Sequence, residues 1–307
     1  MNHLQSITHN YLNFCKFQKR LDEKTLKAYR IDLNQFINRI SVDSLSLITP
    51  EILESFIATL HTTYKPKTAK RKIASVKAFF HYLEYKNLIE TNPFHKIQIK
   101  FREPVTLPKT IPLHTIETLL STMYHQKALA KTKTQEKHIL RDIAAIELLF
   151  STGMRISELC SLRPEDVDLY AKDILIHGKG SKERKIQLGN DDVVSVLRTY
   201  KEEYSGEILD CGYFFVNNFS RRLSEQSVRG IINKYASLAE IELHITPHMF
   251  RHSFATFLLE EDVDIRYIQE MLGHSSINIT EIYTHVAMSK QRDILTTKHP
   301  RKDFVLD

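Results

Sequence analysis

Six residues in the second half of the chain have types suited to moving a phosphoryl group without a metal. Arg155 lies in STGMRISELCSLR, three residues ahead of Glu158 and so near it on a helix face. By itself that pair reads as a surface ion pair. Lys179 stands between Gly178 and Gly180 in HGKGSKERK. By itself it reads as an exposed lysine, but flanking glycines let the backbone approach another molecule closely, and a flexible tip can deliver an ammonium. In TPHMFRHSFATFLLE, Thr246-Pro247 opens a helix, which places His248 and Arg251 at i and i+3 near an N-terminus that favours anions. In MLGHSSINITEIYTHV, Gly273-His274 ends a helix and Tyr283 follows nine residues after His274. A lone tyrosine is ordinarily packing, and the chain has 13 of them, so Tyr283 gains weight only from its companions.

Taken together these residues form a metal-free phosphoryl-transfer set. Arg155 and Arg251 present planar forks to phosphate oxygens. His248 and His274 donate hydrogen bonds or move protons near neutral pH. Lys179 can protonate a leaving oxygen, and Tyr283 can attack to form a covalent intermediate. A neutral tyrosine, with a pKa near ~10, is a poor nucleophile. Concentrated positive charge lowers that value and stabilises the phosphorane. His248 and His252 are four apart, as in zinc-binding helices. However, Arg251 occupies the place of any general-base glutamate and sets a cation beside a dication. No metal is therefore expected, and His252 reads as a structural hydrogen-bonding residue.

The elements that must position this set are mostly helical. In the first ~95 residues, Leu26, Tyr29, Leu33, Phe36, Ile37 and Ile40 recur at helical spacing. Thr49-Pro50 starts a second helix through Leu60. A third runs from about Lys67 to Tyr85, with an apolar stripe of Ile73, Val76, Phe79, Phe80 and Leu83. Its other face carries Lys67, Lys70, Arg71, Lys72 and Lys77, which is either a solvated face or a phosphate-binding one. The segment TNPFHKIQIKFREPVTLPKTIP, residues 91 to 112, holds four prolines and no helical period, and reads as a linker. Helices follow at Leu113–Met123 and Ile139–Phe150, with an exposed basic loop from His125 to His138 between them. DILIHGKGSKERKIQLG shows two short strand-like runs around Gly178 to Lys182, a hairpin signal. The expected fold is mainly α with a small β element. Its expected parts are a helical domain at 1–95, a linker at 96–112 and a second domain at 113–307.

Composition bounds the rest. Of 307 residues, 42% are hydrophobic and 26% charged, which suits a globular chain, and the net charge of +6 suits a polyanionic partner. Cys15, Cys160 and Cys211 are far apart and form no CxxC pair, which argues against a disulfide scaffold or zinc module and fits a reducing cytoplasm. The N-terminus lacks a basic region followed by an apolar run, and no stretch approaches ~18 apolar residues, so neither a signal peptide nor a membrane span is expected.

These segments together resemble the tyrosine recombinase (phage integrase) family, and within it the short Xer-like and transposon-type members. The resemblance implies a two-domain clamp on double-stranded DNA, with a core-binding SAM-like domain at 1–95 and a catalytic domain at 113–307. It gives Arg155 as the first catalytic arginine, Glu158 as its supporting acid and Lys179 as general acid for the 5′-hydroxyl. It gives His248 and Arg251 as the HxxR pair, His252 as a supporting residue, His274 at the histidine-or-tryptophan position, and Tyr283 as nucleophile. Met249-Phe250 and Glu281 depart from the commonest residues at their places without removing a catalytic role. The 125–138 loop is longer than expected for chromosome-dimer-resolving members, and a lambda-type arm-binding domain before the helices is not expected.

The resemblance further implies a 3′-phosphotyrosine and a Holliday junction, with no metal, ATP or other cofactor. It implies a homo-tetramer on two DNA sites, assembled through the tail after Val286, with a DNA translocase as a possible partner. The biological task would be chromosome partition through dimer resolution, or mobile-element integration or resolution, in the cytoplasm on the nucleoid. The alternatives are a DNA-binding regulator without chemistry, a type IB topoisomerase-like relaxing enzyme, and a metal-dependent nuclease, for which the chain lacks a carboxylate cluster.

Overall fold

Apolar residues at helical spacing build most of the structure, a computed structural model describing residues 3–40, 44–99, 101, 109–178 and 183–273. The chain divides into two compact units, residues 1–106 and 107–307.

In the first unit, α1 (His3–Phe17), α2 (Glu23–Ile40), α3 (Pro50–Thr63) and α4 (Pro66–Tyr85) pack around Tyr11, Leu33, Phe36, Leu53, Phe79, Phe80 and Leu83, all essentially inaccessible. Pro50 and Pro66 sit at first helical positions, where a missing N–H costs nothing. A 3-10 turn, Pro93–Lys96, closes the unit, capped by Asn92, whose side chain accepts from the Phe94 N–H at 3.0 Å.

One expectation for α4 is corrected. Lys67, Lys70, Arg71 and Lys77 are exposed, but Lys72 is not on that face: it is only 4% accessible. It falls on the inner stripe between Ala69 and Val76, one turn from each. Its ammonium donates to Asp32 at 3.1 Å and to Gln35, and lies 4.8 Å from the Tyr64 ring. Asp32, itself buried on α2, also receives Arg71 and the Ser75 hydroxyl. Lys72 is thus half of an internal ion pair tying α2 to α4.

In the second unit, α6 (Lys133–Thr152) is the axis. Its Ile139, Ile143, Ala144, Ile146, Leu148 and Leu149 are buried on nearly all sides, and α5 (Leu113–Ala128), α8 (Asp191–Glu203), α10 (Glu225–Leu238) and α11 (Pro247–Glu260) pack against it. Of the short helices, α7 (Ile156–Ser161) packs on α6 and α10, α9 (Ser205–Cys211) on α8, and α12 (Ile265–Leu272) on α11 and the strand Glu183–Gln187. An antiparallel sheet in the order β1-β2-β3 comprises Val167–Asp168, Asp173–His177 and Glu183–Gln187. The expected hairpin is β2–β3, in register from Asp173 with Gln187 to His177 with Glu183. The two-residue β1 gave no period to read. The entry to this unit is fastened by buried Ser253 on α11, which accepts from the Ile111 N–H at 2.7 Å and donates to the Ile111 carbonyl at 3.3 Å.

The loop expected from His125 to His138 is also corrected. α5 runs through Ala128 and α6 starts at Lys133, leaving four residues between helices. The helix signal there lies in a cap rather than an apolar period. The Thr132 side chain accepts from the Gln135 N–H, and the Gln135 side chain accepts from the Lys131 N–H. Lysine, glutamine and glutamate are good helix formers even on an exposed turn.

Candidate active site

The site begins where α6 stops. Gly153 takes the left-handed conformation (φ +58°), and a side chain there would put Cβ 2.6 Å from the Phe254 ring and 2.9 Å from Leu272. Only glycine lets the chain reverse this close to α11 and α12. The reversal delivers Arg155 to the N-cap of α7 and Glu158 one turn into that helix.

Glu158 is buried, so the pair is not the surface ion pair its spacing alone suggests. One carboxylate oxygen accepts from the Arg155 N–H at 2.8 Å, and the other from the Arg155 guanidinium at 2.8 Å. Arg184, on β3, adds a two-pronged contact to the same oxygens at 3.1 and 2.7 Å. Burial is the largest single influence on the Glu158 carboxyl and pushes its pKa up. The hydrogen bonds and charge of Arg184, with those of Arg155, outweigh it and hold the group below the usual glutamate value.

Arg251, buried on the first turns of α11, joins two further pieces. It donates to the Gly153 carbonyl at 3.0 Å and to the Leu272 carbonyl at 2.6 Å. His248, one turn earlier, is exposed, so the two do not project alike, although both sit near the helix start. His252 is half-buried; burial first, then the charges of His248 and Arg251, lowers its pKa and favours the neutral ring. Thus Arg155, Glu158 and Arg251 converge on Gly153 and its neighbours from α7 and α11.

Lys179, His274 and Tyr283 lie outside the described residues, as does the tail after Val286; the elements leading to them do not. β2 ends at His177, two residues before Lys179, and that ring bridges Asp166 at 2.9 Å and Glu183 at 3.1 Å. The Asp166 hydrogen bond, chiefly, raises the His177 pKa. α12 ends at Leu272 with Gly273 left-handed (φ +64°), immediately before His274.

Reading the sequence missed Arg184. The signal was there: β3 alternates, with Glu183, Lys185 and Gln187 outward and Arg184 facing the same way as buried Ile186. An arginine at an inward strand position requires a buried acceptor.

Among the described residues, His81, Glu84 and His95 in the first unit have metal-ligand types close together. Asn92 decides against ligation there. Its carbonyl oxygen accepts from Phe94, so its NH2 faces His81 Nδ1, 3.3 Å away, which must accept. The neutral ring then carries its hydrogen on Nε2 and has no lone pair left for a metal. Glu84 also accepts from the Asn92 N–H at 3.0 Å, which makes the group a tie between α4 and the 3-10 turn. No described helix is long and apolar enough to cross a membrane.

A mainly helical chain with a small antiparallel sheet, holding paired arginines around one buried carboxylate, has the architecture of a two-domain DNA strand-exchange enzyme. The chain belongs to the phage integrase family, the tyrosine recombinases: the Phage integrase family profile matches residues 119–290, and the family's N-terminal SAM-like domain matches residues 9–87. A tyrosine recombinase of Agathobacter rectalis is 63% identical over 304 residues, covering 99% of each chain. Tyrosine recombinase XerD of Listeria innocua is 35% identical over 308 residues, covering 97% of this chain and 100% of that one. In fold, the chain is similar to the XerH site-specific recombinase in its post-cleavage complex with a palindromic difH substrate. That match has a TM-score of 0.74 and 24% identity, over 95% of this chain and 84% of that one.

Proposed function

We propose that this site-specific recombinase cuts double-stranded DNA with Tyr283 and rejoins it to a partner strand. The observation that carries the reading is the Arg155–Glu158 pair, its carboxylate buried and its guanidinium partly exposed, fastened next to the Gly153 turn that Arg251 grips. It sets Arg155 and Arg251 beside one turn of the chain, as the charge of a phosphate calls for. Arg155 and His248 bind the scissile phosphate, and Arg251 completes the cradle while docking α12. The Tyr283 hydroxyl attacks phosphorus, passes its proton to a histidine of the set, and forms a 3′-phosphotyrosine. The 5′-oxygen leaves with a proton from Lys179. The phosphotyrosine keeps the energy of the broken bond, so the reaction consumes neither ATP nor metal. The freed 5′-hydroxyl of the partner strand then attacks, releasing tyrosine and building a Holliday junction. His274 supports the phosphate, and Glu158 and His252 hold the set in place.

In this reading residues 1–95 and 113–307 clamp the duplex across the 96–112 linker. Lys67, Lys70, Arg71 and Lys77 contact phosphates; Lys72, in its internal pair, does not. Four copies engage two sites through the tail after Val286. The task is chromosome partition or mobile-element movement in the cytoplasm, on the nucleoid, where a translocase can assist.

The test is covalent trapping on nicked duplexes from DNA flanking the chain's own gene, in EDTA, followed by denaturation. Wild type is expected to carry a DNA adduct and Tyr283→Phe none. An adduct that survives in Tyr283→Phe overturns the nucleophile. No adduct from wild type on the flanking DNA or on a genomic fragment library overturns the catalytic reading in favour of a binding-only regulator.

A further inference from the structure

We infer that Arg184 is a positioning residue for strand cleavage, tying the β2–β3 hairpin and the end of α12 to the carboxylate that aims Arg155. The inference rests on the functional reading above, because it concerns the same site.

The argument starts from how fully Glu158 is committed. Each of its oxygens takes one hydrogen bond from Arg155 and one from Arg184, at 2.7 to 3.1 Å. A carboxylate held from four directions cannot rotate, so the Arg155 backbone and guanidinium that it holds cannot drift either. Without Arg184, Glu158 would be held from one side only, by Arg155 itself.

The second observation is what else the same side chain grips. Its Nε donates to the Met271 carbonyl at 2.8 Å, in the last turn of α12, where helical carbonyls lack an internal partner. The next carbonyl, that of Leu272, belongs to Arg251. Gly273 lies against Arg184 so closely that a Cβ there would stand 3.1 Å from both Cδ and Nη1. His274 follows directly. On its other side Arg184 is the second residue of β3, and Lys179 falls in sequence between β2 and β3. One planar fork therefore couples three segments that each lead to a reacting group: α7 to Arg155, β3 to Lys179, and α12 to His274 and Tyr283. The side chain is only 10% exposed, so water cannot take over these bonds. Lysine could neutralise Glu158 but, lacking a planar fork, could not bind both oxygens and a carbonyl at once.

A purely structural salt bridge would affect stability and DNA binding together. A positioning residue affects the rate of cleavage, through Arg155 and the other segments it ties, and leaves duplex binding nearly unchanged. The experiment uses the full-length chain and the nicked duplex selected by wild type from DNA flanking its gene. Adduct formation and duplex binding are measured for Arg184→Ala, Arg184→Lys, Arg155→Ala and the Arg155→Ala/Arg184→Ala double variant. A misplacement on the order of 1 Å costs roughly 100-fold in rate, so Arg184→Ala should react about 10- to 100-fold more slowly. Arg184→Lys should also be slow, while both bind duplex within about twofold of wild type. The double variant should lose less than the product of the two single losses, because Arg155 is part of what Arg184 positions. Wild-type adduct rates in Arg184→Lys, or multiplicative losses in the double variant, would overturn the inference. A DNA-free arm follows amide exchange over residues 268–273. Protection there should fall in both Arg184 variants, and unchanged protection overturns the link to α12. If wild type forms no adduct, the functional reading fails by itself, and the exchange arm decides the Arg184 link alone.

Discussion

Replacing Glu158 by glutamine keeps the shape of the side chain and removes its charge. Glu158 accepts four hydrogen bonds from two arginines, and glutamine offers one acceptor oxygen and turns an NH2 toward an arginine N–H. Breaking a buried ion pair on one side costs about 3–5 kcal/mol. The Arg155 side chain is 35% exposed and recovers part of that from water, while Arg184 does not. The lower end, about 3 kcal/mol, is therefore expected. In a unit the size of residues 107–307, each kcal/mol moves the melting midpoint by roughly 2–4 °C, so the fall should be roughly 6–12 °C at pH 7. The pH dependence has a definite sign. Because the folded carboxyl lies below its ordinary value, its stabilisation is complete above pH ~4.3 and is lost as pH falls through the folded pKa. Wild type and variant should thus converge in acid, since other carboxylates titrate equally in both. Thermal melting from pH 7 down to pH 3 measures this. A variant that melts within about 2 °C of wild type at pH 7, or a gap that stays constant into acid, refutes the reasoning.

Three further outcomes are expected. Gly153→Ala forces a side chain into a left-handed position and against Phe254 and Leu272, and should cost about 2–3 kcal/mol in denaturant unfolding; a loss under about 0.5 kcal/mol would show that the turn relaxes freely. Lys72→Ala should destabilise the first unit by about 2 kcal/mol and leave the salt dependence of DNA binding unchanged. Lys70→Ala/Lys77→Ala should do the reverse, lowering the slope of log affinity against log salt by about 2; a large slope change in Lys72→Ala would return that residue to the DNA face. The His177 ring should titrate above pH ~6.5 by NMR because Asp166 favours its charged form, and Asp166→Asn should bring the midpoint down. The stabilisation that it lends the hairpin is present below that ordinary value and fades as pH rises through the folded one. An unshifted His177 in Asp166→Asn would sink that assignment.

Much of the design was legible in the chain itself. Apolar period placed α2 and α4 in the first unit, and Thr49-Pro50 marked where α3 opens. The glycine-flanked lysine marked a hairpin, and the resemblance carried by Arg155, His248, Arg251, His274 and Tyr283 pointed to the family to which the chain belongs. Spacing also paired Arg155 with Glu158, because residues three apart on a helix meet wherever that helix lies.

What period could not reach is what depends on a partner distant in sequence. Lys72 reads like its basic neighbours until α2 brings Asp32 against it, 40 residues away, and turns a surface charge into an internal one. Thr132 shows the converse: its cap is local, yet it sits in a polar stretch where apolar spacing is silent. Arg184 stands 26 residues from Glu158 and 87 from Met271. Local sequence determines that a strand presents it inward. Only the packing of β3 against α7 and α12 decides which acceptors it meets there, because a buried guanidinium takes its role from the oxygens that the fold places around it.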